Sequence, residues 1–212
     1  MNDASPFLWL LTIAGSFLLG SVMFCRIIPQ YYLNIDICAC SDDHNPGASN
    51  VFIHCGPGWG FLCLFLDLAK GFLPISLACR YLGTENLFFA LVLAAPVLGH
   101  AMGLFHHLHG GKCIATAFGE MLALFPYDQI GIFLAAIYIV FSTVLKIKPN
   151  RLRSSATFAL FGIINVIMLL TKEQTAVALG CILISLIAMV KHSTYFMNKT
   201  QEAYEEHSDA VN

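Results

Sequence analysis

Apolar runs of nearly membrane-spanning length recur from one end of this 212-residue chain to the other, and nothing constrains its fold more. Crossing the hydrocarbon core as a helix takes ~20 residues. In lipid every backbone polar group must be satisfied internally, which leaves a helical bundle as the natural solution. The runs fall at about 7–28, 58–82, 86–105, 113–126, 129–147, 154–171 and 173–190. Composition agrees: 58% of residues are hydrophobic, 11% are charged, and mean hydropathy is +0.73. The expected fold is an all-α polytopic membrane protein, a seven-helix bundle whose fourth helix is too short to cross unaided. Residues 1–192 form the membrane domain, and 193–212 form a polar, acidic, disordered tail. The first run lacks a basic leader and a small-residue cleavage site, so it is expected to be retained as a helix.

Basic residues in short loops set orientation. With seven spans, Arg26, Lys112, Lys146, Lys148, Arg151, Arg153, Lys191 and Lys199 share the side of the C-terminus, eight against Arg80 and Lys172 on the other, with Lys70 inside a span. That puts the N-terminus outside and the C-terminus in the cytoplasm. The scattered cysteines form no secreted disulfide framework. Gly20, Gly60, Gly71, Gly99 and Gly119 are expected to let helices approach closely.

Chemistry concentrates at Gly110-Gly111-Lys112, a turn between two apolar segments and just before a short helix. Glycines let backbone N–H groups approach an anion, a helix start adds a positive dipole end, and Lys112 adds a full charge. The competing reading is a tight turn with a lysine snorkelling to the interface, and the tripeptide alone does not separate the two. Ser49 and Thr116 are candidate hydroxyl donors, and His192 a further donor. The loop 29–57 is short of charge runs and holds the turn-forming Asn45-Pro46-Gly47, so it is expected to be ordered and functional. Asp67 and Lys70 lie three apart on one helix face. Either they are a buried pair that orders the bundle, or Lys70 reaches the pocket. His100 is expected to be a hydrogen-bonded structural histidine. His106, His107 and His109 lack metal-ligand spacing, so neither a metal nor a cofactor is expected.

Six blocks then resemble, in order, the bacterial acyl-phosphate:glycerol-3-phosphate acyltransferases, the PlsY family. LLGS (18–21) resembles its opening Gly-Ser, and NPGASNV (45–51) its N-x-GATNV block. LFLDLAKG (64–71) resembles LLDxxKG, and VLGH (97–100) matches VLGH. LHGGKCIATAFG (108–119) resembles FKGGKGVATxxG, and RLRSSA (151–156) its serine-rich helix entry. The resemblance implies transfer of a fatty acyl group from acyl-phosphate to glycerol 3-phosphate, giving lysophosphatidic acid at the cytoplasmic face of the bacterial inner membrane. Its partners would be those two substrates, the lipid bilayer and other lipid-synthesis enzymes, with no nucleic acid. Carried over by position, Gly110, Gly111, Lys112, Asn45, Gly47, Ser49, Asn50 and His192 are the expected phosphate-binding residues. Lys112 and His192 would position substrate, and no residue is assigned as the catalyst.

Departures are equally specific. Asp43 stands where the family has serine, His44 where it has glycine, Ile53 and Cys38 where it has arginine, and Thr194 and Tyr195 where it has Glu and Asn. They leave open a paralogue with another acceptor or no catalysis. A small transporter or metal-handling protein fits the topology but not the ordered blocks.

Overall fold

The computed structural model describes residues 4–171 and 174–209, with side chains as far as Ser193. Among the described residues every regular element is helical. Helix α1 (Pro6–Gly20) starts with Pro6 at its first position, and Ser5 Oγ accepts from the Leu8 amide at 3.3 Å. The chain breaks at Ser21–Met23, then resumes as α2 (Phe24–Leu33) at 42° to α1. Two short helices follow, α3 (Ile37–Cys40) and α4 (Ala48–Cys55). Helix α5 (Pro57–Tyr81) is long and apolar, and α6 (Phe88–Met102) ends at a left-handed Gly103 before a 3-10 turn, Leu104–His106. Helix α7 (Ile114–Leu124) is short, and α8 (Ile130–Ile139) runs into a π-helical turn, Val140–Val144. Finally, α9 (Asn150–Thr171) and α10 (Thr175–Asp209) complete the chain.

Among the described residues, four segments are long and apolar enough to cross a membrane: α5, α6 with its 3-10 turn, α9, and Thr175–Ser193 of α10. The bent α1–α2 pair makes a fifth if counted as one span. The single helix expected over 7–28 is therefore two helices. The run at 129–147 is helical only to Val144, and the adjacent α7 is shorter still at 11 residues. Beyond His192 the backbone of α10 continues as helix to Asp209. Extending an existing helix costs far less than nucleating one.

Small residues set the packing. Helix α5 lies along α7, α1 along α6, and α10 along both α6 and α9. A Cβ added at Gly20 would overlap the Pro96 backbone, and one at Gly99 would overlap the Phe17 carbonyl, so α1 and α6 meet backbone to backbone. Gly71 and Gly119 do the same for α5 and α7, against the carbonyls of Thr116 and Leu68. Gly60 instead receives the Phe52 ring of α4. This is the small-residue contact that lipid favours, since apolar side chains gain nothing by leaving lipid for one another. Phe89, Leu93, Val97, Phe158, Phe161, Cys181 and Ile184 fill the shared core. Phe65, Leu77, Ile163 and Leu170 face outward, as residues in contact with acyl chains would.

Inside α5 the Asp67–Lys70 couple takes its structural role. Lys70 Nζ lies 2.8 Å from Asp67 Oδ1 and donates to the Val22 carbonyl at 2.6 Å. That carbonyl sits in the α1–α2 break, where the helix supplies no partner of its own. Cys25 Sγ of α2 donates to Asp67 Oδ2 at 3.1 Å. The pair thus pins the bent segment to α5. Both side chains are buried, at 3% and 0% exposure for Asp67 and Lys70.

Candidate functional site

The diglycine corner is built on the end of α6. Gly103, at φ +60°, turns the chain back, so that Gly110 lies against Gly103 and over the last carbonyls of α6. A side chain at Gly110 would overlap the carbonyl oxygens of His100 and Ala101, and one at Gly111 would overlap His100 Nε2. The Gly111 amide donates to the His100 carbonyl at 3.0 Å. Close packing is thus the first use of both glycines, and the Gly111 N–H is committed to it. His100, 4% exposed, is the floor of the corner. Cys113, at φ +66°, then leads into α7 with no side-chain cap on its first turn. The opening amides of α7 and the Lys112 ammonium consequently lie together at one end of a helix, a place that favours an anion.

The loop between α3 and α4 closes on this corner through one carboxylate. Asp43 Oδ2 is 2.5 Å from Lys112 Nζ. Asp43 Oδ1 accepts from the Asn50 side-chain amide at 2.7 Å and from the Asn45 amide at 3.3 Å. Asn50 Nδ2 also donates to the Asn45 carbonyl at 2.7 Å, and the Gly47 amide to the same carbonyl at 2.8 Å. Asn45-Pro46-Gly47 is therefore a tight turn tied to Asp43 through the Asn45 amide and the Asn50 side chain. Asp36 caps α3 through the amides of Cys38 and Ala39, and His44 Nδ1 lies 2.7 Å from the Cys38 carbonyl. Partial burial alone would push the Asp43 carboxyl up. Hydrogen bonds from Lys112 and Asn50, with the Lys112 charge, overcome that and hold it below the usual carboxylate range.

Asn45 and Asn50 thus meet Lys112 through Asp43, Gly47 closes the turn onto the Asn45 carbonyl, and Gly110 and Gly111 seat the corner. His192 is 1% exposed on α10 and within electrostatic reach of Lys112. Ser49 is exposed in the first turn of α4, and among the described residues its hydroxyl is not part of the knot. Thr116 is buried in the first turn of α7. Ile53 is 74% exposed. Arg153 is engaged elsewhere: its guanidinium lies 5.2 Å from the Tyr138 ring centroid, and its Nη2 donates to the Tyr138 hydroxyl at 3.4 Å. Side chains at Thr194 and Tyr195 lie outside the described residues. Among the described residues no three His, Cys, Asp or Glu side chains gather as a metal-ligand set.

Sequence reading registers Asp43 as a family departure and allows it Lys112, His44 or His54 as partner; the structure pairs it with Lys112 and makes it the hub of the loop. Its signal was the Asp-x-Asn-Pro-Gly pattern, in which a carboxylate can accept from the amide two residues on. Arg26 enters the sequence reading only as a basic residue that sets orientation. Its charge reaches Cys38, whose thiol is nevertheless raised, chiefly by burial.

Apolar helices long enough to cross a membrane define an integral membrane protein, with Lys112 just before the start of its short α7. A family model described as glycerol-3-phosphate acyltransferase matches residues 10–200, and the chain belongs to that family. It is 32% identical over 184 residues to a glycerol-3-phosphate acyltransferase of Hydrogenobaculum, covering 87% of this chain and 89% of that one. The counterpart in Lawsonia intracellularis is 28% identical over 205 residues, with 96% and 98% covered. Against the Maridesulfovibrio salexigens protein identity rises to 39%, but the match spans only 60% of its length. Among solved structures, the fold is similar to the integral membrane acyltransferase PlsY in its glycerol 3-phosphate form. The TM-score is 0.76, with 25% identity and 92% and 93% of the two chains covered. The lysophosphatidic acid form of PlsY gives 0.74 over the same coverage.

Proposed function

We propose that this chain transfers a fatty acyl group from acyl-phosphate to the 1-hydroxyl of glycerol 3-phosphate, forming lysophosphatidic acid and inorganic phosphate for phospholipid synthesis. One bond breaks, between the acyl carbon and the phosphate oxygen, and one ester bond forms to the alcohol oxygen. The departing phosphate carries away the charge, and the alcohol proton leaves with it or with solvent. Acyl-phosphate is an activated mixed anhydride, so no acyl-enzyme is required. Holding two substrates in line and stabilising phosphate charge supplies the acceleration. Lys112, the first amides of α7, Asn45, Gly47, Ser49 and Asn50 bind phosphate in this reading. Gly110 and Gly111 shape the turn, and His192 orients the acceptor from α10.

Seven segments enter the bilayer in this proposal, with α7 as a short, largely buried member and α8 as a short one exposed on its outer face. The N-terminus is outside, and the site opens at the cytoplasmic face of the inner membrane. The carrying observation is the meeting of the Asp43–Asn50 loop with Lys112, 69 residues apart in sequence. Family membership supports the same reading. The test supplies the purified protein in nanodiscs with palmitoyl phosphate and radiolabelled glycerol 3-phosphate. Lysophosphatidate should form, and Lys112→Ala should abolish most of it. Equal rates with and without Lys112 would defeat the site assignment, and no product from the wild type would defeat the reaction.

A further inference from the structure

A carboxylate of this chain already stands where Lys112 would meet a phosphate oxygen. Asp43 Oδ2 lies 2.5 Å from Lys112 Nζ, with the two side chains 34% and 17% exposed. A surface ion pair of two loosely held side chains would mean little. This one is fixed from behind: Asn50 Nδ2 and the Asn45 amide hold Oδ1, and Asn50 is tied in turn to the Asn45 carbonyl. The carboxyl is kept below its usual range, so it remains ionised wherever a cellular enzyme works. Position 53, on the neighbouring α4, contributes an exposed isoleucine and no charge. The Arg153 guanidinium is stacked on Tyr138. A substrate phosphate arriving at this corner therefore finds its lysine answered by an anion, and two anions within reach of one ammonium repel each other.

We propose that Asp43 is a built-in competitor for Lys112, which the phosphate of the acceptor must displace in order to bind. It sets the affinity of this chain for phosphorylated acceptors low and makes Asp43 a specificity-determining residue of the site. Occupied, the corner holds the phosphate on Lys112 and the α7 amides while Asp43 turns out on its Asn-tethered loop. As product leaves, the carboxylate returns and closes the ion pair. The competition is constant, not a pH switch, because the carboxyl does not titrate in the working range. The proposal rests on Lys112 being the phosphate-binding cation, as argued above.

The experiment uses the full chain in nanodiscs, with Asp43→Asn and Asp43→Ser beside the wild type. Asparagine keeps the shape and the Oδ1 acceptor but removes the charge, and serine removes the group. Glycerol 3-phosphate affinity is read by titration calorimetry, and its KM with palmitoyl phosphate as donor. Both variants should lower Kd and KM about tenfold, the scale of one charge-assisted contact. Adding Lys112→Ala to Asp43→Asn should erase the gain, which a merely structural loop residue would not produce. An unchanged or weaker Kd in variants that remain monodisperse overturns the competition. Were the wild type to bind but yield no lysophosphatidate while Kd still fell tenfold, the competition would stand and the transferase reading would fall. Turnover with an unchanged Kd would leave the transferase reading standing and overturn the competition, and absence of binding in all three proteins overturns both.

Discussion

Removing Lys70 should cost this protein more than removing any exposed charge. Lys70 is the counter-ion of a buried Asp67 and also the hydrogen-bond donor to Val22 in the α1–α2 break. Lys70→Met keeps the length of the side chain but leaves a carboxylate sealed between α2 and α5, with only the Cys25 thiol against it. Breaking a buried pair by deleting one partner costs roughly 3–5 kcal/mol. For a chain of this size each kcal/mol moves Tm by roughly 2–4 °C, so the expected loss is roughly 6–20 °C. The double variant Lys70→Met with Asp67→Leu removes both charges and should recover most of that. It should stop short of the wild type by roughly 1–3 kcal/mol, because the Val22 carbonyl remains buried without its donor. Thermal unfolding of the three proteins in one detergent reads both differences. A single variant within about 1 kcal/mol of the wild type, or a double variant worse than the single, would refute the reasoning.

Other outcomes follow from the same contacts. Gly119→Ala drives a methyl into the Leu68 backbone and should cost roughly 1–3 kcal/mol, whereas Gly15→Ala meets nothing and should be neutral or stabilising. Differential scanning of the two variants decides it, and equal Tm values would count against the α5–α7 packing. Asp43 has a depressed carboxyl, so its contribution to stability is complete above the unfolded value of ~3.9 and disappears as pH falls through the lower folded value. Stability of the wild type and of Asp43→Asn should accordingly differ by a constant between pH 5 and 8 and converge only in strong acid; a difference that changes near neutrality would contradict it. Cys40 is exposed in α3. With the proposed orientation a membrane-impermeant maleimide should label it in inside-out vesicles but not in intact cells, and the opposite result would invert the topology.

Much of the helical scaffold could be read from the chain because its signals are local. Apolar runs foretold α5, α6, α9 and α10, and the spaced glycines foretold close helix approach, though not that α1 meets α6 and α5 meets α7. The α1–α2 break was illegible for a physical reason. Ser21-Val22-Met23 sits inside a continuous apolar run, and the lysine that makes the break tolerable is 48 residues away. The short α8 was overdrawn for a related reason, since apolarity says where a segment is buried and not where its hydrogen bonding changes register. At the site, the Gly-Gly-Lys turn and the Asn45–Asn50 block were both legible as motifs. What the motifs withheld was their use: the glycines fit against His100 and Ala101, and Asp43 joins the two halves. Charge alone allowed Asp43 several partners, and only the fold selects Lys112, 69 residues away.

The most direct test of phosphate binding at the corner is a structure of the protein with glycerol 3-phosphate bound. The phosphate should lie ~2.7–3.2 Å from Lys112 Nζ and the first amides of α7, with the Asp43 carboxylate turned out of its present contact. A phosphate seated instead against Arg151 or Arg153, with the Asp43–Lys112 pair intact, would contradict phosphate binding by Lys112.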